Sequence, residues 1–574
     1  AAAGRTLTQR LAETPGVAQA SSYWSLGSPP PLKSKAGDKA LVLARVSGNE
    51  DQARDRGAEI AKEFAHDDGT LSVTAGGETV VNDAVNRTAE KDLKRAESIA
   101  LPITLILLVA VFGSVVAALL PLGVGILAIV GTFAFLRLLS TITDVSIFSL
   151  NLTTALGLGL AIDYSLFVVS RFREELAGGY DTKDAVIRTV RTAGRTVVFS
   201  ASTVAIALAA MLVFPITFLK SFAYAGIAVA IMAAFGAVVV LPALLAALGP
   251  RVNKWAVFHR TTTPPVGQGV WHRVATTVMR RPLPIATAAI VVLLFLGAPF
   301  LNIKFGLPDD RVLPPGDSVR QVQDVLRDEF SSQESATLEV VAPEANTTRA
   351  EVAAYATALS RVVNVARVDA ATGSYIEGQR VSAPSPASAR FTTASGTWLS
   401  VVPSVEPLSP AGETLVKHVR AVPAPFATEV GGPSAQLVDT KSSLFSRLPI
   451  ALTIIAGVTF VVLFLLFGSL LVPLKAVVLN LLSLTATFGA MVWVFQDGHL
   501  ASALNFTPTG TIAVVMPILM FCIAFGLSMD YEVFLLSRIK EEYDRTGDNT
   551  TSVAVGLERT GRIVTAAAVL LATV

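Results

Sequence analysis

The sequence predicts an α-helical polytopic membrane protein that carries two α/β domains outside the membrane. Three observations predict it. The 574 residues are 52% hydrophobic and only 16% charged, with mean hydropathy +0.58; that balance suits a bundle of membrane helices and not a soluble globular domain. Apolar runs near the length a bilayer demands recur along the chain, separated by two long polar regions. The two halves of the chain also repeat one another in register.

The elements follow in order. Residues 1–98 are polar and mixed: "ALVLARV" reads as a strand, "DQARDRGAEIAKEFA" has helical spacing, and "LSVTAG" reads as a strand again. Residues 99–248 hold five apolar runs, at about 99–120, 121–139, 145–171, 192–214 and 222–248. Residues 249–283 form a basic linker, and a further run covers 284–300. Residues 301–447 are polar again. There "ATLEVVA", "RAEVAAYATALSRV" and "VARVDA" alternate strand, helix and strand, and "WLSVVPSV", "GETLVKHVRAV" and "ATEVGG" do so once more. Such units suggest split β-α-β domains. Residues 448–574 hold runs at 448–467, 473–495 and 510–537, and a last one from 562 that stops short of a full span.

Orientation follows from basic residues in short loops. The segment 249–281 carries Arg251, Lys254, Arg260, Arg273, Arg280 and Arg281 and no acidic residue, so it is expected in the cytoplasm. Its "TTTPPVGQG" stretch reads as a flexible linker between the halves. Alternation then places 1–98 and 301–447 on the outer side of the plasma membrane. It also places the Arg-rich segments 171–195 and 537–562 in the cytoplasm, where they read as amphipathic elbows or solvated connectors.

Composition also excludes. A net charge of +2 gives no reason to expect nucleic acid. Cys522 is the single cysteine, and His66, His259, His272, His418 and His499 are scattered, so neither an internal disulfide nor a metal site is expected.

The repeat is specific. "VFGSVVAALLP" and "LFGSLLVP" match at an offset of 355, whereas Gly159/Gly526, Asp163/Asp530, Tyr164/Tyr531, Arg171/Arg538 and Glu174/Glu541 all match at 367. The change of 12 is placed in the "QDGHLASALNFTP" loop. Both copies share one orientation, as in transporters built from parallel repeats about an axis along the membrane normal. By analogy with 284–300, a helix is expected before residue 1 and another after residue 574, giving twelve in the complete protein.

Asp163 and Asp530 each lie 8 residues before an arginine, about 12 Å into the apolar layer at the rise of a helix. A carboxylate there costs at least about 2.5–3.5 kcal/mol. It must face the bundle interior and be paired, or be protonated for part of a cycle. Gly159 and Gly526, four residues earlier, offer close helix approach. Tyr164 and Tyr531 can donate to a carboxylate. Ser200 can add a hydroxyl, although the second half has Ala567 in its place. Paired membrane carboxylates also occur in intramembrane aspartyl proteases, but "GLGLAID" has the wrong spacing for a GxGD motif. Enzymatic chemistry is therefore not expected.

"GLGLAIDYSLFVVSRFREE" and "FGLSMDYEVFLLSRIKEE" resemble the paired Asp-Tyr motifs of the MMPL (mycobacterial membrane protein large) transporters of the resistance-nodulation-division superfamily. The resemblance covers essentially the whole chain. It implies the superfamily's duplicated fold, two periplasmic porter domains, and coupling to the proton motive force through Asp163–Tyr164 and Asp530–Tyr531. It also implies a supporting place in that relay for Ser200, protons as the coupling ion, and no other cofactor. Compared with the family pattern, the chain lacks the first and last membrane helices and a C-terminal cytoplasmic tail. The implied function is export or flipping of a long-chain envelope lipid such as trehalose monomycolate. Alternatives are export of a polyketide, antibiotic or other small molecule, and a scaffold whose porter domains bind a protein. Expected partners are the lipid, the membrane and accessory envelope proteins.

Overall fold

The computed structural model describes residues 1–257, 269–330, 334, 336–343, 347–393 and 396–573. The "TTTPPVGQG" linker, apart from its last glycine, lies outside the described residues, as do His259 and Arg260. The chain divides into two compact units. One gathers residues 92–303, 443–493 and 515–574; the other gathers 1–91, 304–442 and 494–514.

Among the described residues, nine helices are long and apolar enough to cross a membrane: Glu78–Phe112, Val115–Leu139, Phe148–Ala177, Thr182–Val213, Thr217–Asn253, Pro282–Asn302, Pro433–Phe467, Leu471–Gln496 and Val515–Thr546. A further helix, Asn549–Thr573, begins in polar "NTTS" and contains the last apolar run. The chain is therefore a multi-pass membrane protein. Leu119, Ile126, Val130, Phe295, Leu465 and Leu471 are exposed on these helices, as residues facing hydrocarbon must be.

Several helix limits differ from the sequence reading. The first helix starts at Glu78, well before 99, because its polar opening turns continue the helical backbone. It ends at Phe112 and not near 120. Gly113 adopts φ +68, a left-handed setting that glycine enters without steric cost. Ser114 then caps the next helix by accepting from Ala117 and donates 2.9 and 2.7 Å bonds to the carbonyls of Val252 and Lys254. Pro121, read as a boundary, sits inside Val115–Leu139. Of the two readings of 171–195 and 537–562, the connector with its own ion pairs fits and the separate amphipathic elbow does not. Each segment is the end of one membrane helix and the start of the next, joined by a tight turn at Gly179 (φ +89) or Gly547 (φ +68). The side chain of Asp181 caps the helix after the first turn, and Asp548 accepts from Thr551 after the second.

Val270–Arg280 is a short helix that the sequence reading did not anticipate. It lies against Asn549–Thr573: a Cβ at Gly561 would come 2.7 Å from the Trp271 ring, and the Gly269 amide donates 2.9 Å to Glu558. Where Pro282–Asn302 crosses Leu471–Gln496, a Cβ at Gly489 would sit 2.0 Å from the Leu296 carbonyl, so this crossing requires glycine.

In the other unit, β1 (Val17–Ser22) and β2 (Val42–Val46) form an antiparallel pair flanked by helices Ala2–Glu13 and Glu50–Phe64. "LSVTAG" is not a strand. Asp67 and Asp68 accept from the amides of Gly69, Thr70 and Leu71, and these Asx turns fold the segment back, leaving one bridge between Asp67 and Ser72.

The remaining strands are β3 (Phe305–Gly306), β4 (Leu338–Ala342), β5 (Val365–Ala370), β6 (Gly373–Ile376), β7 (Gln379–Ser382), β8 (Thr392–Thr393), β9 (Gly396–Pro403), β10 (Glu429–Gly431) and β11 (Ile512–Ala513). The main sheet runs β10-β4-β9-β5-β6-β7, with β8 on β9. Helix Arg349–Leu359 links β4 to β5, which are parallel with β9 between them; helix Pro410–Ala421 links β9 to β10, parallel with β4 between them. Each is a split β-α-β unit. Alternation along β4 turns Leu338 and Val340 inward onto Tyr355, Val368, Leu399, Val401, Leu415 and Val419. At the edge of this unit Asp310 receives two bonds from Arg327, 2.8 and 2.6 Å long, which hold that guanidinium in its charged form, while burial pushes the nearby Glu406 carboxyl up.

Candidate functional site

The site lies where Phe148–Ala177 meets Val515–Thr546 in the membrane unit. In Phe148–Ala177 small or apolar residues surround Asp163 and the helix is buried on every face from Leu156 to Val169, whereas in Val515–Thr546 Met529, Asp530, Val533 and Phe534 are buried and Tyr531 and Glu532 only partly so. Val115–Leu139 and Thr217–Asn253 cover the first helix, and Thr182–Val213 and Asn549–Thr573 cover the second.

Asp163 and Asp530 are each only 2% exposed. No cation pairs with either among the described residues. The Tyr531 hydroxyl donates to Asp163 Oδ2 at 2.6 Å, the length expected of a phenol bonded to a carboxylate. The bond therefore crosses between the two motifs rather than joining the neighbours Asp530 and Tyr531. Its mirror image does not form. Tyr164 is fully buried and lies near Asp530 and Ser200, yet its hydroxyl makes no hydrogen bond among the described residues. Asp163 Oδ1, Asp530 Oδ1 and Ser200 Oγ are likewise buried without a partner among those residues.

Magnitudes decide what this means. A hydrogen bond to a charged group contributes about 1.5–3 kcal/mol. That is comparable with the roughly 2.5–3.5 kcal/mol that a carboxylate costs in mid-membrane. One such bond thus offsets much of the penalty for one aspartate and nothing for the other. A cluster with this many unsatisfied polar atoms is a poor device for stability alone.

The glycines seat the helices that follow the motifs. A Cβ at Gly159 would come 2.8 Å from Leu571 Cδ1, and one at Gly526 would come 3.3 Å from the Val204 Cα. Each glycine therefore seats the helix after the other motif, not the other motif itself. The two contacts map onto one another at the offset of 367: 159 to 526, and 204 to 571.

The same offset governs a layer that the sequence reading missed as a unit. Four residues below the aspartates, Phe167 and Phe534 stack with ring centroids 3.5 Å apart and planes 4° from parallel. Four residues further, Arg538 bonds Glu174 at 2.8 Å and Arg171 reaches Glu541 at 3.4 Å. Each arginine also pairs within its own helix, Arg171 with Glu175 at 2.8 Å and Arg538 with Glu541 at 2.7 Å. The signal was present as matched positions, but matching does not reveal which residue bonds which.

Among the described residues no group of three or more His, Cys, Asp or Glu could hold a metal ion. The proton-bearing groups gathered here are two buried carboxyls, two phenols and the Ser200 hydroxyl.

Comparison with known proteins adds independent information. The model of the MMPL family matches residues 1–285 and 311–574. A membrane protein of Streptomyces coelicolor is 36% identical over 582 aligned positions, covering 98% of this chain and 76% of its own length. The trehalose monomycolate exporter MmpL3 of Mycobacterium tuberculosis is 36% identical over 549 positions, covering 90% of this chain. The chain spans only 57% of that exporter's length. Among solved structures, the hedgehog release protein Disp from the water bear Hypsibius dujardini superposes with a TM-score of 0.57 over 94% of this chain and 74% of its own. At 13% identity that likeness shows the fold alone.

Proposed function

The chain belongs to the MMPL family, and from that premise we propose that it is the core of a proton-driven exporter of a long-chain envelope lipid. The observation that carries the proposal is the buried Asp163–Tyr531–Asp530–Tyr164 cluster, with one cross-motif bond formed and its mirror image open. Two carboxyls that alternately find a phenol partner and a proton form a natural carrier for a transmembrane proton flux. Ser200, the buried hydroxyl beside Tyr164, supports proton passage on the first-half side only.

In this reading the two halves are parallel repeats about an axis between Phe167 and Phe534. Rocking of one half against the other exposes the carboxyls to alternate sides. The Arg-rich turns face the cytoplasm. The unit of 1–91, 304–442 and 494–514 forms the periplasmic porter domains that conduct the lipid. The lipid class is taken from relatives named as trehalose monomycolate exporters and as a mycolic acid-containing lipids exporter. Large exposed apolar side chains on the membrane helices suit a substrate that enters from the bilayer.

The test is lipid analysis of cells carrying the full-length protein. With wild type, a long-chain lipid reaches the outer envelope; with Asp163→Asn it accumulates in the plasma membrane. An envelope lipid profile unchanged by Asp163→Asn in cells that insert the variant normally would overturn the proposal.

A further inference from the structure

We infer that Arg171, Glu174, Arg538 and Glu541 form a latch that closes the cytoplasmic side of the aspartate cluster and must open for protons to exchange there. The inference rests on the proton-carrier reading above and adds its gate.

Geometry sets the order of layers. The aspartates come first, the Phe167–Phe534 stack lies one helical turn below, and the four-charge layer lies one turn below that. The stack fills the seam with two nearly parallel rings, and rings excluding water block a proton path as long as they stay in contact. Below them the charges tie the two helices together by reciprocal arms: Arg538 to Glu174 and Arg171 to Glu541. The arginines are largely enclosed, with 13% and 18% of their side chains exposed, whereas the two glutamates are 44% and 48% exposed. Pairs with a half-exposed partner are weak, so the layer can break and re-form within a transport cycle. A deeply buried pair could not, because separating it would strand charges.

The latch is uneven, and its unevenness follows the relay. The short arm runs from Arg538 of the second motif helix to Glu174 of the first. The formed relay bond runs the same way, from Tyr531 of the second helix to Asp163 of the first. The reciprocal arm, Arg171 to Glu541, is longer by 0.6 Å (3.4 against 2.8 Å), and the reciprocal relay bond is open. Arg171 is drawn away by Glu175. The matching Glu542 is instead held by Arg545 and Arg559, both at 2.8 Å, and Arg538 divides between Glu541 of its own helix and Glu174 across the seam. Latch and relay thus report one state of a two-state pair. In the other state Tyr164 bonds Asp530 and the short arm is Arg171–Glu541.

The experiment reconstitutes the full-length protein in liposomes, imposes a pH gradient without lipid substrate, and reads proton entry with a trapped pH dye. Arg538→Ala is expected to raise this idle proton flux about two- to five-fold, the factor that a weak ion pair controls. Glu174→Gln, isosteric and half-exposed, serves as the second variant should Arg538→Ala not insert, and is expected to do the same. The reversed pair Glu174→Arg with Arg538→Glu is expected to return the flux to the wild-type level, which a merely structural role would not do. Idle flux unchanged in Arg538→Ala and Glu174→Gln, or raised without recovery in the reversed pair, overturns the latch. Adding Asp163→Asn to Arg538→Ala should abolish the extra flux. Extra flux that persists there supports the gate but overturns the proton-carrier reading, so the two failures are distinguishable.

Discussion

The two motif helices, Phe148–Ala177 and Val515–Thr546, match at Gly159/Gly526, Asp163/Asp530, Tyr164/Tyr531, Phe167/Phe534, Arg171/Arg538 and Glu174/Glu541 yet sit in different surroundings. The first is more fully enclosed along its apolar stretch than the second. It accepts the two shorter cross-motif bonds, at Asp163 and at Glu174, which the second donates through Tyr531 and Arg538, while the one bond it gives in return, Arg171 to Glu541, is longer at 3.4 Å. Neighbours outside the motif make the difference. Ser200 stands where the second half has Ala567, and Glu175 keeps Arg171 while Glu542 is taken up by Arg545 and Arg559. Duplicated sequence therefore supplies two equivalent sets of groups, and their environments decide which set is engaged.

The largest effect that would break this comparison comes from the carboxyls. Asp163→Asn and Asp530→Asn should each lower lipid export about 100-fold or more, since a carrier needs both sites in turn and an amide cannot take up and release a proton. Export assays on vesicles from cells expressing each variant check this; a large loss at one aspartate only would mean that one half is inert. Next come the phenols. Tyr531→Phe should cost roughly tenfold in export rate, because it removes a hydrogen bond to a charged group. Tyr164→Phe should cost less, about two- to three-fold, as its bond is open in this state. Equal losses would show that the uneven bonding does not matter to the cycle.

The glycine seams sharpen the comparison through stability. Gly526→Ala pushes a methyl toward Val204 backbone, which cannot retreat; Gly159→Ala meets only the tip of Leu571. Overpacking costs about 1–3 kcal/mol. Gly526→Ala should fall within that range and Gly159→Ala below it, read as thermal unfolding in detergent. The smallest change is Ser200→Ala, expected to slow export about twofold or less, as its hydroxyl engages no partner among the described residues in this state.

Much of this was legible in the sequence, and the rest failed for identifiable reasons. Apolar runs located the membrane helices because burial in hydrocarbon demands length and composition together. The aspartates stood out because a carboxylate there is costly. Helix ends were misplaced where glycine conformation decides: Gly113 stops a helix that hydropathy alone carried to Pro121. "LSVTAG" alternates like a strand, but two upstream aspartates capture its neighbouring amides first. The cross-helix bonds of Tyr531 and Arg538 were illegible, since single-chain spacing fixes which residues share a face and not which partner lies opposite.

The central claim is that Asp163 and Asp530 take up and release protons during the cycle. Infrared difference spectroscopy of the full-length protein in liposomes, during an imposed pH step, reads the C=O stretch of protonated carboxyls. The account predicts a protonated-carboxyl band that follows the step in wild type and is lost or split in Asp163→Asn and Asp530→Asn. A band identical in wild type and both variants would contradict it.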